Sequence, residues 1–302
     1  MGHGHGHAPS GHAGGKHRRR LALAFAMVAT FFIVELIAGL WSGSLALISD
    51  AGHMAADVVA LGAALVATRI ATRVDTSGRR SYGSYRAEVF ASGLTVLIMF
   101  GVAVYVVVEA LSRVGSSVDV QTGTMLVVGA LGLVVNVISM VLLRAGAAES
   151  LNVKGAYYEV VADAAGSVGV IVAGLLVMAT GAVWWDTVVA VAIGLFVAVR
   201  AVVLGRQVLA VLGQHVPAEV ELARVIADLE GVRGVLDVHD LHVWTLTSGM
   251  NVATAHLVVG PLGDAQTVLV EAQHVLWTAH HVEHATLQVE SAPTRQCDEV
   301  QW

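Results

Sequence analysis

The chain has 302 residues, 56% hydrophobic and only 13% charged, with a mean hydropathy of +0.73, whereas soluble domains carry about 25% charged residues; a soluble globular fold is excluded and a polytopic membrane protein is indicated. The net charge of -6 is unevenly spread: residues 1–213 hold 14 Lys/Arg against 11 Asp/Glu, and residues 214–302 hold 3 against 12. An apolar body therefore precedes an acidic one, with no basic face for nucleic acid, and the single Cys297 allows neither an internal disulfide nor a cysteine-based zinc site.

The first stretch, "MGHGHGHAPSGHAGGKHRRR" over 1–20, is low-complexity Gly/His and predicts a disordered tail. Six apolar segments follow, near 21–41, 45–68, 86–110, 122–143, 155–179 and 183–203. Each has the roughly 20 residues needed to cross a bilayer. The first is too long for a signal peptide and carries Glu35, so it reads as a retained helix. Lys16 and Arg18–Arg20 precede helix 1, Arg69, Arg73, Arg79, Arg80 and Arg86 lie between helices 2 and 3, Arg144 and Lys154 between 4 and 5, and Arg200 and Arg206 are taken to follow helix 6. The opposite loops hold only Arg113. This bias predicts both termini on the cytoplasmic side; the membrane is expected to be a bacterial plasma membrane.

The acidic part, 214–292, alternates between helical and strand periodicity. Residues 218–230 predict an amphipathic helix, "GVLDVHDLHVWTL" and "MNVATAHLVVG" two strands around a "TSG" hairpin, "DAQTVLVEAQHVLWTAHH" a second helix and "HATLQVE" a last strand. The order αββαβ predicts a small α+β sandwich. Residues 293–302 form a short tail.

Helix 2 contains "SDAGHMAAD" inside membrane-grade sequence. His53 and Asp57 are four apart and share a helix face, with Asp50 on the same stripe. Helix 5 repeats the device in "YYEVVAD", which sets Glu159 and Asp163 four apart. Each intramembrane charge costs about 2.5–3.5 kcal/mol, and four cost on the order of 10 kcal/mol. One acid pair alone would fit an interhelical hydrogen bond. Two pairs on two helices, one with histidine, fit a divalent cation held by one nitrogen and three carboxylates, a tetrahedral zinc-type set. An intramembrane metalloprotease would need H-E-x-x-H on one helix. No such string occurs, and no enzyme is expected. Glu35, Glu109 and Asn136 read as interhelical hydrogen bonders, and Asp186, near a helix end, as reaching water.

These motifs resemble the cation diffusion facilitators, and the zinc-type branch in particular. The resemblance covers nearly everything after residue 20 and rests on "GSLALISDAGHMAAD", "YGSYRAEVFA", "NVKGAYYEVVADAAGSVGV" and "DVHDLHVWTLTSGM". It implies six transmembrane helices, a cytoplasmic αββαβ domain, a homodimer, and exchange of cytoplasmic Zn²⁺ for outside protons. The transport ligands it implies are His53, Asp57, Glu159 and Asp163. The branch usually has H-x-x-x-D in helix 5, so Glu159 departs from it. A cytoplasmic metal site is implied at His256, His274 and Glu290, although each also suits an ordinary surface residue. His239 and His242 read as structural. No further protein partner is implied. The histidine-rich loop common between helices 4 and 5 in eukaryotic members is absent, and His3, His5, His7, His12 and His17 cluster in the tail instead, where they either feed metal or buffer it weakly.

Metal needs deprotonated ligands, so protons and metal compete for such a site. Three carboxylates and a neutral His53 give -3 against +2, which predicts that one carboxylate, most simply Glu159, keeps or shares a proton when metal is bound. The added oxygen also predicts poorer discrimination against Mn²⁺ or Fe²⁺ than a two-histidine site would show, with Zn²⁺ still the first choice; an exporter of broader or different metal choice (Cd²⁺, Co²⁺, Mn²⁺, Fe²⁺) is an alternative. A non-transporting membrane metal sensor is the alternative of a different class.

Overall fold

The structure, a computed structural model, describes residues 14–71, 82, 84–114, 119–147, 151–247, 249–261 and 263–292. The tail histidines His3, His5, His7 and His12, loop residues Arg73, Arg79 and Arg80, and residues 293–302 with Cys297 lie outside them. Six long helices come first: α1 (Gly14–Ser42), α2 (Leu45–Ala71), α3 (Ala87–Ser112), α4 (Thr122–Ala147), α5 (Leu151–Thr180) and α6 (Trp184–Leu212). No proline falls inside any of them, so nothing interrupts their backbone ladders. At 26 to 30 residues each exceeds the length of a bilayer crossing. Helices α1 and α3–α6 contain spans that are apolar as well as long, and α2 is the sixth crossing. Helix α1 starts ahead of the expected residue 21, and α6 runs to Leu212 rather than ending near 203. Large apolar side chains such as Leu97, Val141 and Leu195 are exposed, as a lipid-facing surface requires.

The chain falls into two compact units, residues 1–62 with 94–203, and residues 63–93 with 204–302. In the first, α4 lies along α5 and α1 packs on α4. The buried core of this unit includes Phe31, Leu45, Leu47, Met54, Met125, Leu143 and Val170. Helices approach closely at small residues. A side chain at Gly166 of α5 would collide with the Asp50 carboxylate of α2.

Asp186 does not reach water. It is fully buried and caps α2 from across the bundle. It accepts hydrogen bonds from the backbone N–H of Leu45 (2.7 Å) and Ala46 (3.2 Å) and from Ser44 Oγ (2.6 Å). The two N–H groups belong to the first turn of α2, whose backbone donors have no acceptors within the helix. Arg113 Nη1 lies 3.5 Å from the same carboxylate and donates to the Gly43 carbonyl at 2.9 Å. Glu109, expected to bond between helices, pairs instead with Arg113 one turn on at 3.0 Å. Asn136 donates from α4 to Ser167 of α5 at 3.4 Å.

In the second unit, α7 (Leu222–Glu230), β1 (Val235–Thr247), β2 (Met250–Val259), α8 (Ala265–His280) and β3 (Val282–Glu290) give the αββαβ order. The sheet order is β1-β2-β3, with β1/β2 antiparallel and β2/β3 parallel across α8. Ala253, Leu257 and Val259 point into a core with Val225, Leu229, Val268, Ala272 and Leu276 of the helices. The alternate residues of β2, Thr254 and His256 among them, lie on the other face. Asp240 has a positive φ of 52° at an irregularity between the pairs His239/His256 and His242/Thr254. One extra residue in β1 is a bulge, and it sets His239 and His242 on the same face as His256.

Candidate metal sites

The transport candidates come together between α2 and α5. His53 Nδ1 is 3.7 Å from Asp57 Oδ2, and His53 Nε2 is 3.4 Å from Asp163 Oδ1. One ligand atom each from His53, Asp57 and Glu159 falls within a 4.8 Å sphere of mutual distances. His53 and Asp163 are buried, Asp57 is mostly so, and Glu159 stands 42% exposed at the mouth. Asp57 Oδ2 and Asp163 Oδ1 are buried and make no hydrogen bond among the described residues. Buried polar atoms are ordinarily satisfied, so two orphaned carboxylate oxygens beside the His53 imidazole suit a cation. Glu35 and Asp50 are buried as well, and both Glu35 oxygens and Asp50 Oδ1 make no hydrogen bond among the described residues.

A fifth group, which the charge pattern places in a flanking loop, reaches the site. Arg200 lies within α6. Its Nη2 is 2.6 Å from Glu159 Oε1 and 3.8 Å from Asp57 Oδ1, and its Nη1 is 3.2 Å from His53 Nε2. The guanidinium carbon stands 6.0 Å from the Phe196 ring centroid, and Phe196 packs edge-on to His53 at 5.8 Å. Arg200 consequently drops out of the charge bias used to orient the helices. It also changes the balance: three carboxylates, a neutral His53 and one guanidinium sum to -2, which matches a divalent ion without a retained proton. The spacing Phe196-x-x-x-Arg200 on an apolar helix was the available signal.

The C-terminal domain gathers a second set. His256 Nδ1 is 3.2 Å from Glu290 Oε1, and His239 Nε2 is 3.4 Å from Glu290 Oε2. The two imidazoles lie 5.1 Å apart on adjacent strands, and the three residues form a group that could hold a metal ion. Asp240 lies 3.7 Å from His256 and 3.0 Å from His242. His274 is not brought to this group. It is exposed on α8, the helix behind the sheet, against Trp277 at 6.4 Å. His239, read from sequence as structural, stands in its place because the bulge at Asp240 turns it toward His256. His280 is buried and pairs with Asp228 at 2.9 Å, a bond between α8 and α7.

The family model described as the cation efflux transmembrane domain matches residues 21–212, and the one described as the cation efflux protein cytoplasmic domain matches 217–292. The chain belongs to the cation diffusion facilitator family. This facilitator is 43% identical over its whole length, and over 94% of the relative, to the metal cation efflux system protein CzcD of Cupriavidus metallidurans. It is 34% identical over 97% of the chain to the zinc transporter ZitB of Escherichia coli, covering 94% of it. It is 32% identical, over 97% of the chain and 93% of the relative, to a cadmium, cobalt and zinc/H⁺-K⁺ antiporter of Bacillus velezensis. The facilitator is an integral membrane protein that exports divalent metal cations.

Proposed function

We propose that the protein is a Zn²⁺/H⁺ antiporter, a carrier rather than an enzyme, moving cytoplasmic zinc outward by alternating access in a homodimer. The observation that carries this reading is the convergence of His53, Asp57, Glu159 and Asp163, from two helices, with orphaned ligand atoms inside a membrane bundle. One imidazole and carboxylates in a four-membered set favour zinc. With both termini in the cytoplasm, zinc enters from that side, and outside protons reload the ligands after its release. The two occupied states bias the helices that carry the site, as in other carriers with binding groups at membrane depth. In the C-terminal domain, His239, His256 and Glu290 are the residues proposed to bind regulatory metal.

A broader metal choice is the second reading. The third carboxylate favours it, and one relative bears the name of a cadmium, cobalt and zinc antiporter. The test is uptake by purified protein in liposomes under an imposed pH gradient, with Zn²⁺, Cd²⁺, Co²⁺ and Mn²⁺ offered singly and in competition. Zinc uptake that collapses with the gradient is expected. Uptake indifferent to the gradient would remove the proton exchange, and no uptake of any metal would leave only a sensor.

A further inference from the structure

Arg200 is the most unusual cost in the membrane part. An arginine inside a membrane helix is expensive, and nothing in a four-ligand metal site calls for a cation. Its contacts account for its retention. Arg200 Nη2 closes on Glu159 Oε1 at 2.6 Å, its Nη1 meets His53 Nε2 at 3.2 Å, and Asp57 lies 3.8 Å away. Phe196 stands beside both the guanidinium and the imidazole.

Two consequences follow from chemistry alone. A guanidinium does not lose its charge in a protein, so the +1 it brings to the ligands is permanent and, unlike a proton, never exchanged with solvent. The lone pair on His53 Nε2 serves one partner at a time, so a guanidinium N–H directed at it and a metal ion are alternatives. The Glu159 carboxylate has two oxygens. Oε1 holds Arg200, which leaves Oε2 as the oxygen for a metal.

We propose that Arg200 is a tethered counter-cation that limits how tightly the transport site holds its metal, with Glu159 as its anchor. This rests on the transport reading of the same site. When metal binds, the guanidinium leaves His53 Nε2 but keeps its bond to Glu159. When metal leaves, Arg200 returns to Nε2 and offsets part of the carboxylate charge that would otherwise hold the ion back. The permanent charge lowers the attraction of hard and soft divalent ions alike. The ligand set stays at -2, so a doubly charged ion leaves no excess charge in a low dielectric.

The experiment measures Zn²⁺ and Mn²⁺ affinity on the full chain in detergent, and initial rates on the same preparations in liposomes, for wild type, R200Q, R200K, E159Q and R200Q/E159Q. R200Q is expected to bind Zn²⁺ about tenfold more tightly, because removing one nearby charge in a partly buried site is worth at least that much. Its KM should fall while its maximal rate also falls, since release is slowed. E159Q should bind about tenfold more weakly, by the same charge step in the opposite sense. R200K should lie close to wild type, and the double variant should bind more tightly than E159Q because R200Q removes the charge left unpaired there. An arginine that only supports packing predicts the reverse for R200Q: weaker binding and an unchanged or higher KM. That result, or an affinity unmoved by R200Q, overturns the proposal. If R200Q does not survive purification, E159Q and the double variant decide. An E159Q defect that adding R200Q leaves unrepaired overturns it too. Affinities are read without transport, so a wild type that binds zinc but moves none would count against the antiporter reading and not against this one.

Discussion

At the scale of single residues, the site is a set of charges whose sum matters as much as its geometry. Asp57→Ala and Asp163→Ala each remove a proposed ligand and also lighten the insertion cost of their helix. Both variants are expected to fold and dimerise yet lose zinc transport, and wild-type rates in vesicles from either would dismiss the proposed ligands. Glu159 is the more informative position. Read from sequence, Glu159→His restores the usual branch pattern and should keep zinc transport. With Arg200 at 2.6 Å, that substitution strands a guanidinium beside a divalent ion. E159H alone is therefore expected to transport zinc poorly, whereas E159H/R200Q should transport it and prefer Zn²⁺ over Mn²⁺ more strongly than wild type does, as two imidazoles make a softer site. A metal-competition series on the two variants checks this, and equal zinc transport by both would refute it. The grouping of the four candidate positions was legible because the i, i+4 spacing writes a helix face into the sequence. Arg200 was not, because a basic residue near the end of an apolar segment looks the same whether it faces water or turns inward.

At the scale of elements, two caps and a bulge do work that periodicity does not reveal. Asp186 ties the start of α6 to the start of α2, the helix that carries His53 and Asp57. Asp186→Ala leaves Ser44 and two backbone donors unsatisfied in a buried place, at a cost of about 1–3 kcal/mol for each group left so. A lower melting temperature in detergent is expected, with Asp186→Asn intermediate. A melting temperature unchanged by Asp186→Ala would show the cap to be dispensable. In the C-terminal domain Asp264 caps α8, accepting from the Thr267 backbone N–H at 2.9 Å and from its hydroxyl. The hydroxyl bond and then the backbone bond hold its carboxyl below the ordinary value of 3.8. The cap therefore favours the folded first turn of α8 at all pH above the unfolded-state value, and this is lost as pH falls through the folded-state one. Hydrogen exchange in that turn should rise in Asp264→Ala at neutral pH, and the gap to wild type should close in acid. The strands themselves were legible from alternation, but the face assignment of His239 was not. A period of two breaks at Asp240, and an aspartate that tolerates positive φ carries no mark of it in the pattern.

At the scale of the whole molecule, the acidic C-terminal part and the membrane part pose separate electrostatic problems. Residues 214–302 hold 12 Asp/Glu against 3 Lys/Arg, so two copies in the proposed homodimer repel each other, and bound cations relieve that repulsion. The His239, His256 and Glu290 group is where such a cation would sit. Truncation after Gly213 should weaken the dimer and slow transport without unfolding the membrane helices, since the described residues of that unit's apolar core all precede residue 213. A distance probe placed on the C-terminal domain of each copy should report a shortening when zinc is added to the full chain. The residues responsible can be separated. His239→Ala removes one of two imidazoles facing Glu290 and should abolish the zinc-dependent shortening while leaving transport at saturating zinc nearly intact. His274→Ala, on the far side of the sheet against Trp277, should leave the shortening unchanged. A zinc response that survives His239→Ala but disappears in His274→Ala would return the regulatory site to the position that sequence resemblance had suggested, and would mean that the histidines brought together by the Asp240 bulge hold the sheet rather than a metal.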